Sequence, residues 1–284
     1  MNHPTVGHRP DHYENFPVAS WLSPRQLRDP ISAIYRFART ADDIADEGHA
    51  SADQRLKDLQ QMRHDLANTS GNPDFESVQW PNVFGPLGKA IRQFLIPLEQ
   101  LSCLLDAFAQ DVIMTRAGKT YTDLPQLLDY CRHSANPVGR LMLHLYGISD
   151  SAHLAMSDSI CSSLQLINFW QDLSVDIPRN RHYLTDSDCR QFQVSRETLA
   201  KQEDTPQTRK LIRYCVKVAQ QMMLDGAPLA HQIPGRAGWE LRLVVQGGLR
   251  ILEKIELLHF RTLRIRPKIG KVDIAIMAWR AVWM

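Results

Sequence analysis

An all-α fold is predicted by three features of the chain. Apolar residues recur at helical spacing between proline and glycine breaks, the alternation of a half-buried strand is nearly absent, and neither a linker nor an internal repeat divides the sequence. A chain of 284 residues with 44% hydrophobic residues can bury a large core, so one domain over residues 1–284 is the expectation.

Met1–Glu14 is polar, carries His and Pro, and lacks the apolar stretch of a signal peptide. Asn15–Ser20 then leads into Ser23-Pro24-Arg25-Gln26, a capping box with proline at the first helical position, which predicts the start of a short helix. Asp29-Pro30 repeats the start signal, and Ile31, Ile34, Ala38, Ala41 and Ala45 carry a second helix to Gly48. Ser51-Ala52-Asp53-Gln54 caps a third helix to about Ala67, and Asn68–Pro81, rich in Asn, Ser, Gly and Pro, reads as a surface loop.

Helices are predicted next over 82–95, 97–116, 123–147, 150–176, 206–226, 236–263 and 271–283. The breaks between them fall at Pro97, Gly118, Gly147, Pro178, Pro206, Pro228, Pro234 and Pro267. Asn136-Pro137 sits inside the 123–147 pattern, where proline removes a hydrogen bond and clashes with the preceding turn; a kink is expected, and a kink is one way to line a cavity. Val272–Met284 is apolar with Trp279 and Trp283, and reads as a core or docking helix rather than a membrane anchor. No run reaches the ~18 apolar residues of a spanning helix.

Charge and cysteine usage narrow the function classes. Lys+Arg 33 against Asp+Glu 31 leaves a net +2, so no global field recruits nucleic acid and any polyanion site must be local. The 5 cysteines include no CxxC pair, which fits reduced thiols in the cytoplasm better than a disulfide or zinc framework.

The chemistry concentrates in two stripes. At about 100° per residue, Gln165, Asn168, Asp172 and Asp176 fall within an arc of roughly 80°, each four-residue step rising about 6 Å, while Phe169, Trp170, Leu173 and Val175 lie off it. Carboxylate plus amide oxygen is the hard-ligand set of Mg²⁺, which is usually completed by substrate phosphates. Tyr35, Arg39, Asp42 and Asp46 share an arc of about 60°, with Asp43 beside it. Either stripe alone is also compatible with a solvated face, and Arg39 could pair with Asp42 or Asp43 and make its cluster merely structural.

Two such helices facing each other across a central cavity can hold several Mg²⁺ ions, and that site suits a diphosphate. Metal bonding stabilises the charge that develops on a departing diphosphate, so the implied chemistry is ionisation to a carbocation. A cation needs dry, apolar, aromatic walls. Phe16, Tyr35, Phe37, Tyr130, Leu141, Leu164, Phe169 and Trp170 are candidates, most of them equally at home in an ordinary core. Arg179 and Arg181 follow the second stripe after Pro178, and Arg181 is the choice of the two for phosphate oxygens. The later basic group of Arg266, Lys268 and Lys271 could close the same pocket, but such runs are more often a solvated face.

These residues resemble the squalene/phytoene synthases, isoprenoid enzymes with two Asp-x-x-x-Asp motifs. The resemblance covers most of the chain. Tyr35-x-x-x-Arg39-x-x-Asp42-x-x-x-Asp46, Tyr130, Val138-Gly139, Gln165-x-x-Asn168-x-x-x-Asp172-x-x-x-Asp176 and Arg181-x-Tyr183 sit in the family's order and spacing. It implies a single-domain isoprenoid synthase fold, Mg²⁺ on Asp42, Asp46, Asn168, Asp172 and Asp176, and diphosphate on Arg39, Arg181 and Tyr183. Phe16, Tyr35, Gln165, Val138 and Gly139 join the expected substrate contacts, and Tyr130 the catalytic ones.

Within the family, Glu14–Ser20, Tyr130–Gly139 and Asn168–Asp172 look like the hydroxysqualene synthase branch of bacterial hopanoid biosynthesis. That branch is similar in ionising presqualene diphosphate, opening its cyclopropane and trapping the cation with water, without a reductant. The chain departs from squalene and phytoene synthases, which carry Arg where Gln171 stands, Gly-Glu where Ser174-Val175 stand, and an aromatic with Val-Ala-Gly where His133–Pro137 stand. Those departures point away from condensing two farnesyl diphosphates. On the kinked helix, Ser134 and Asn136 could hold one ordered water, or only satisfy the broken helix; Tyr130 could orient that water or stabilise the cation with its ring.

The runner-up is a head-to-head condensing sibling making presqualene diphosphate, dehydrosqualene or phytoene. An NADPH-dependent squalene synthase is disfavoured because no nucleotide fingerprint appears, and a non-enzymatic helical lipid-binding or scaffold protein would leave the twin motifs unexplained. The expected partner is the isoprenoid diphosphate itself, handed over by other squalene-pathway enzymes or met by peripheral contact with the inner face of the membrane.

Overall fold

The computed structural model describes residues 24–284, and Phe16 and the Ser23 end of the first capping box lie outside them. Among the described residues every regular element is helical. The order is α1 (Arg25–Asp46), α2 (Ala52–Gly71), α3 (Pro81–Phe94), α4 (Leu98–Ala117), α5 (Leu124–Ser134), α6 (Asn136–Leu145) and α7 (Ser151–Asp176). A 3-10 turn (Ile177–Arg179) follows, then α8 (Asp186–Gln191), α9 (Arg196–Ala200), α10 (Pro206–Gly226), α11 (Leu229–Gln232), α12 (Gly235–Leu257) and α13 (Lys271–Trp283).

Side-chain caps set several starts. Ser51 accepts from the Gln54 N–H, Asp123 from Gln126, Asp150 from His153, and Thr205 from Thr208 in a full capping box, each relieving an orphan donor of the first turn. The first two predicted helices are one: α1 runs through Pro30 without a break. The hydrogen bond lost at proline is outweighed by one continuous buried stripe, Leu27, Ile31, Ile34, Phe37, Ala41 and Ala45.

α2 extends to Gly71, past the predicted loop boundary. The predicted kink is a full break at Ala135, after which Asn136-Pro137 opens α6 with proline in its first turn, where no N–H is needed. The predicted 236–263 helix stops at Leu257, because His259 (φ 51°) and Phe260 (φ 62°) are both left-handed. The short α8, α9 and α11 lie in stretches without helical periodicity long enough to read.

Two apolar cores fill the molecule. One surrounds α7, α10 and α12, with Leu166, Ile167, Val216 and Ile251 fully buried; the other joins α1 to α4 through Phe37, Met62, Leu87 and Leu101. α6 belongs to both, giving Leu143 to the first and Leu141 and Leu145 to the second. The seam between the cores runs along α1 and α7, the helices that carry the two acidic stripes.

Candidate active site

The face of α7 that turns toward this seam changes character along its length. Ser157, Ile160, Cys161 and Leu164 line a cavity of about 290 Å³, and one turn later the same face presents Gln165, Asn168, Asp172 and Asp176. α1 repeats the change, with Ile31 in the cavity wall and Tyr35, Arg39, Asp42 and Asp46 following on one face. Both helices thus run from apolar to acidic in the same sense. From Leu164 to Asp172 is about 12 Å at 1.5 Å per residue.

The cavity is walled on its other sides by α6, α11 and α12, including Val138, Met142, Leu229 and Leu241. Gly139 lies in this wall, where a Cβ would come within 2.4 Å of Ser157 Oγ and 2.6 Å of Cys161 Sγ; glycine lets α6 pack this close to α7. Val138 and Gly139, expected substrate contacts, both line this cavity. Tyr35 and Gln165 sit half-buried at the change from apolar to polar on their respective helices.

At the acidic end, arginines hold the carboxylates. Arg39 donates from Nη1 to Asp42 (3.1 Å) and pairs through Nη2 with Asp43 (2.7 Å), so both pairings left open by the sequence are made at once. Arg181 reaches across the seam: it pairs closely with Asp46 of α1 and lies 4.0 Å from Asp176 of α7. Arg266 donates twice to Asp172, from Nε at 2.5 Å and Nη2 at 3.0 Å, and Asn168 donates to the same carboxylate at 3.3 Å. The neighbouring Gln171, fully buried, donates to the Pro267 carbonyl at 2.7 Å, so two adjacent residues of α7 fasten the 266–267 segment. Of the late basic group only Arg266 joins the site; Lys268 and Lys271 are exposed.

Burial pushes Asp42 up to about 6, with Asp46 adding to the rise. Burial and then Asp172 push Asp176 up to about 7. The end of the pocket therefore holds more negative charge than its surroundings favour, a condition that a cation relieves. Among the described residues, no three His, Cys, Asp or Glu side chains converge on one point. The carboxylates stand in pairs with guanidiniums between them.

Beneath the acids lies an aromatic layer. Tyr183 stacks on Phe169 with centroids 3.6 Å apart and planes 8° from parallel, and Tyr121 and Tyr130 pack around them. Burial holds the Tyr130 and Tyr183 hydroxyls well above the ordinary tyrosine range, so both stay protonated. Tyr130 donates to Asp111 Oδ2 at 2.5 Å, which commits its hydroxyl proton to that carboxylate. Asp111, on α4, is itself pushed up to about 7 by burial, against the lowering effect of the Tyr130 bond.

Asp111 was missed at the level of sequence. Its signal is a lone acid seven residues after Leu104 and three after Phe108, on the buried face of its helix.

Other candidates settle elsewhere. Asn136 accepts from Ser162 Oγ at 2.8 Å in a buried pair, so it ties α6 to α7 rather than holding a water; Ser134 Oγ is buried with no partner among the described residues. Phe37 packs edge-on against Phe84, and Phe37, Leu141 and Trp170 are core rather than pocket wall. Leu164 does line the cavity. Arg179 lies in an open cleft that borders the acidic end, lined also by Asp46, Arg55, Arg116 and Arg181.

Comparison with known proteins places the chain in a family and matches its fold. The squalene/phytoene synthase family model matches residues 9–273. A hydroxysqualene synthase of Rhodopseudomonas palustris is 34% identical over 245 residues, covering 86% of this chain and 80% of the relative. Among solved structures, squalene synthase HpnC from Alicyclobacillus acidocaldarius superposes with a TM-score of 0.78 at 31% identity, covering 88% of this chain and 90% of that one. A dehydrosqualene synthase superposes with a TM-score of 0.82 at 19% identity, covering 96% and 92%, a likeness of fold.

Proposed function

The chain belongs to the squalene/phytoene synthase family, and from that membership we propose that it is a hydroxysqualene synthase, converting presqualene diphosphate and water to hydroxysqualene and diphosphate. The observation that carries this reading is the shared polarity of α1 and α7. An apolar cavity that passes into an acidic, arginine-studded end matches an isoprenoid tail with a diphosphate head, and the relatives supply the branch.

In this reading Asp42, Asp46, Asn168, Asp172 and Asp176 hold Mg²⁺, a donor set of carboxylate and amide oxygens that fits a hard divalent ion. The metal supplies positive charge to the departing diphosphate. Arg39, Arg181 and Arg266 neutralise these aspartates in the protein alone, and with metal on the carboxylates their guanidiniums would be available to phosphate oxygens. The C–O bond to diphosphate breaks with both electrons leaving on oxygen, and the cyclopropane opens. A water oxygen then bonds to the cation, and its proton passes to solvent.

Phe169 and Tyr183, stacked face to face and buried, form a dry aromatic floor beneath the acidic end. Ser134, with a buried unpaired hydroxyl, is the residue we assign to holding the water. Residues 1–284 act as one catalytic domain on the cytoplasmic side, with the isoprenoid diphosphate as partner.

The test is product analysis with presqualene diphosphate and farnesyl diphosphate supplied separately in ¹⁸O-water, with and without Mg²⁺ and NADPH. Hydroxysqualene carrying ¹⁸O, made from presqualene diphosphate with Mg²⁺ and without NADPH, is expected. Product from farnesyl diphosphate alone, or an unlabelled hydrocarbon, moves the chain to the condensing siblings.

A further inference from the structure

We propose that α13 docks this protein flat on the surface of a bilayer containing anionic lipid. The helix is amphipathic in the wrong sense for a protein in water. Its inward arc holds Asp273, Met277 and Ala281, and its charged groups are turned toward α12: Asp273 pairs with Arg250 (2.7 Å) and Lys254 (2.5 Å), and Arg280 pairs with Glu253. The outward arc carries Val272, Ile274, Trp279, Val282 and Trp283, exposed by 74, 52, 66, 51 and 72%. A helix that rests against water places these residues the other way round.

The occupant is specified by residue type and charge. Tryptophan is the side chain that favours the headgroup boundary of a bilayer, and Trp279 and Trp283 sit one turn apart on the outward face with ring centroids 5.8 Å apart. Trp239 of α12, 43% exposed, stacks on Arg242 at 4.7 Å, and Arg242 reaches the Ala281 carbonyl, which carries the aromatic surface onto the neighbouring helix. The exposed charges that lead into α13 are Arg264, Lys268 and Lys271, all of one sign. Anionic headgroups complement them, whereas a second copy of the chain brings the same sign to the contact. Thirteen residues, about 20 Å of helix, lie along an interface and do not cross it, and among the described residues no helix is long and apolar enough to span.

The test uses the full chain and sedimentation with vesicles of phosphatidylcholine alone or with about 30% phosphatidylglycerol. Binding to the anionic vesicles, weakened by salt, is expected, and Trp279→Glu with Trp283→Glu should lower it at least about tenfold. Because both side chains are exposed, the double variant should melt at the wild-type temperature and keep its turnover on detergent-dispersed substrate. Fluorescence of the bound wild type should be quenched by lipids brominated on the acyl chains. Absence of vesicle binding, equal binding by the double variant, or bound protein that brominated lipid does not quench would each overturn the proposal. So would a wild-type dimer that the double variant dissociates while vesicles recruit nothing, which would assign the face to self-association.

Discussion

Arg266 and Asp172 are 94 residues apart in sequence and share two hydrogen bonds, a pairing that lays the segment before α13 against the acidic end of α7. Gln171 reinforces it through the Pro267 carbonyl. Arg266→Ala should lower diphosphate release by about 10- to 100-fold, and Arg266→Lys should recover little of it, because an ammonium lacks the fork that meets two oxygens at once. Release at the wild-type rate in Arg266→Ala would place this arginine outside the chemistry.

The paired aspartates predict a larger loss. Asp172→Ala, Asp176→Ala, Asp42→Ala and Asp46→Ala should each cut Mg²⁺-dependent turnover by about 100-fold or more while circular dichroism stays native. A folded Asp172→Ala enzyme that releases diphosphate normally would end the metal-clamp reading.

Arg181 balances acids from two helices, so its removal should show in stability as well as activity. Arg181→Ala leaves Asp46 and the buried Asp176 without their shared cation. The metal-free variant should melt several degrees below wild type, Mg²⁺ should recover part of the difference, and free diphosphate should inhibit the variant more weakly. Unchanged diphosphate inhibition would count against a substrate contact.

Asp111 gives a pH dependence with a definite sign. Its folded pKa stands at about 7 against an ordinary 3.8, so between those values the folded chain binds the extra proton. Stability therefore falls as pH rises through that window, and the penalty is complete above it. Asp111→Asn, which still accepts from Tyr130, should raise the melting temperature relative to wild type more at about pH 8 than at about pH 5, by about 3 °C or more. An equal effect at both values would mean that Asp111 is not held protonated.

At Gly139 the prediction is steric. Gly139→Ala should cost about 2 kcal/mol, since the methyl collides with Ser157 and Cys161 and either α6 or these side chains must yield. Thermal melting reads the stability loss, and a raised KM for the isoprenoid substrate reads the narrowed cavity.

The sequence made the stripes legible because four-residue spacing is a local property of one helix: Asp42, Asp46, Asp172 and Asp176 needed no tertiary information to be placed on faces. The cap at Ser51 and a disruption at Asn136-Pro137 were legible for the same reason, although the structure makes the latter a full break where a kink was expected. What could not be read was pairing across distance. Arg266 looked like part of a solvated basic run until Gln171 fastened the adjacent carbonyl, and Asp111 looked like a lone acid until Tyr130 and the aromatic layer enclosed it. Pro30 misled because propensity favours a helix start there, while the buried stripe from Leu27 to Ala45 decides in favour of continuity.

The shared polarity of α1 and α7 makes the pocket lose its own ligand. An amphiphile fits only with its tail in the cavity and its head among the arginines, so it has one way in. Once the diphosphate has left, what remains is a nearly uniform oil with a single hydroxyl, anchored at neither end by charge. On the proposed function the charged groups grip only the small anion, so free diphosphate should inhibit the enzyme more strongly than the released alcohol does.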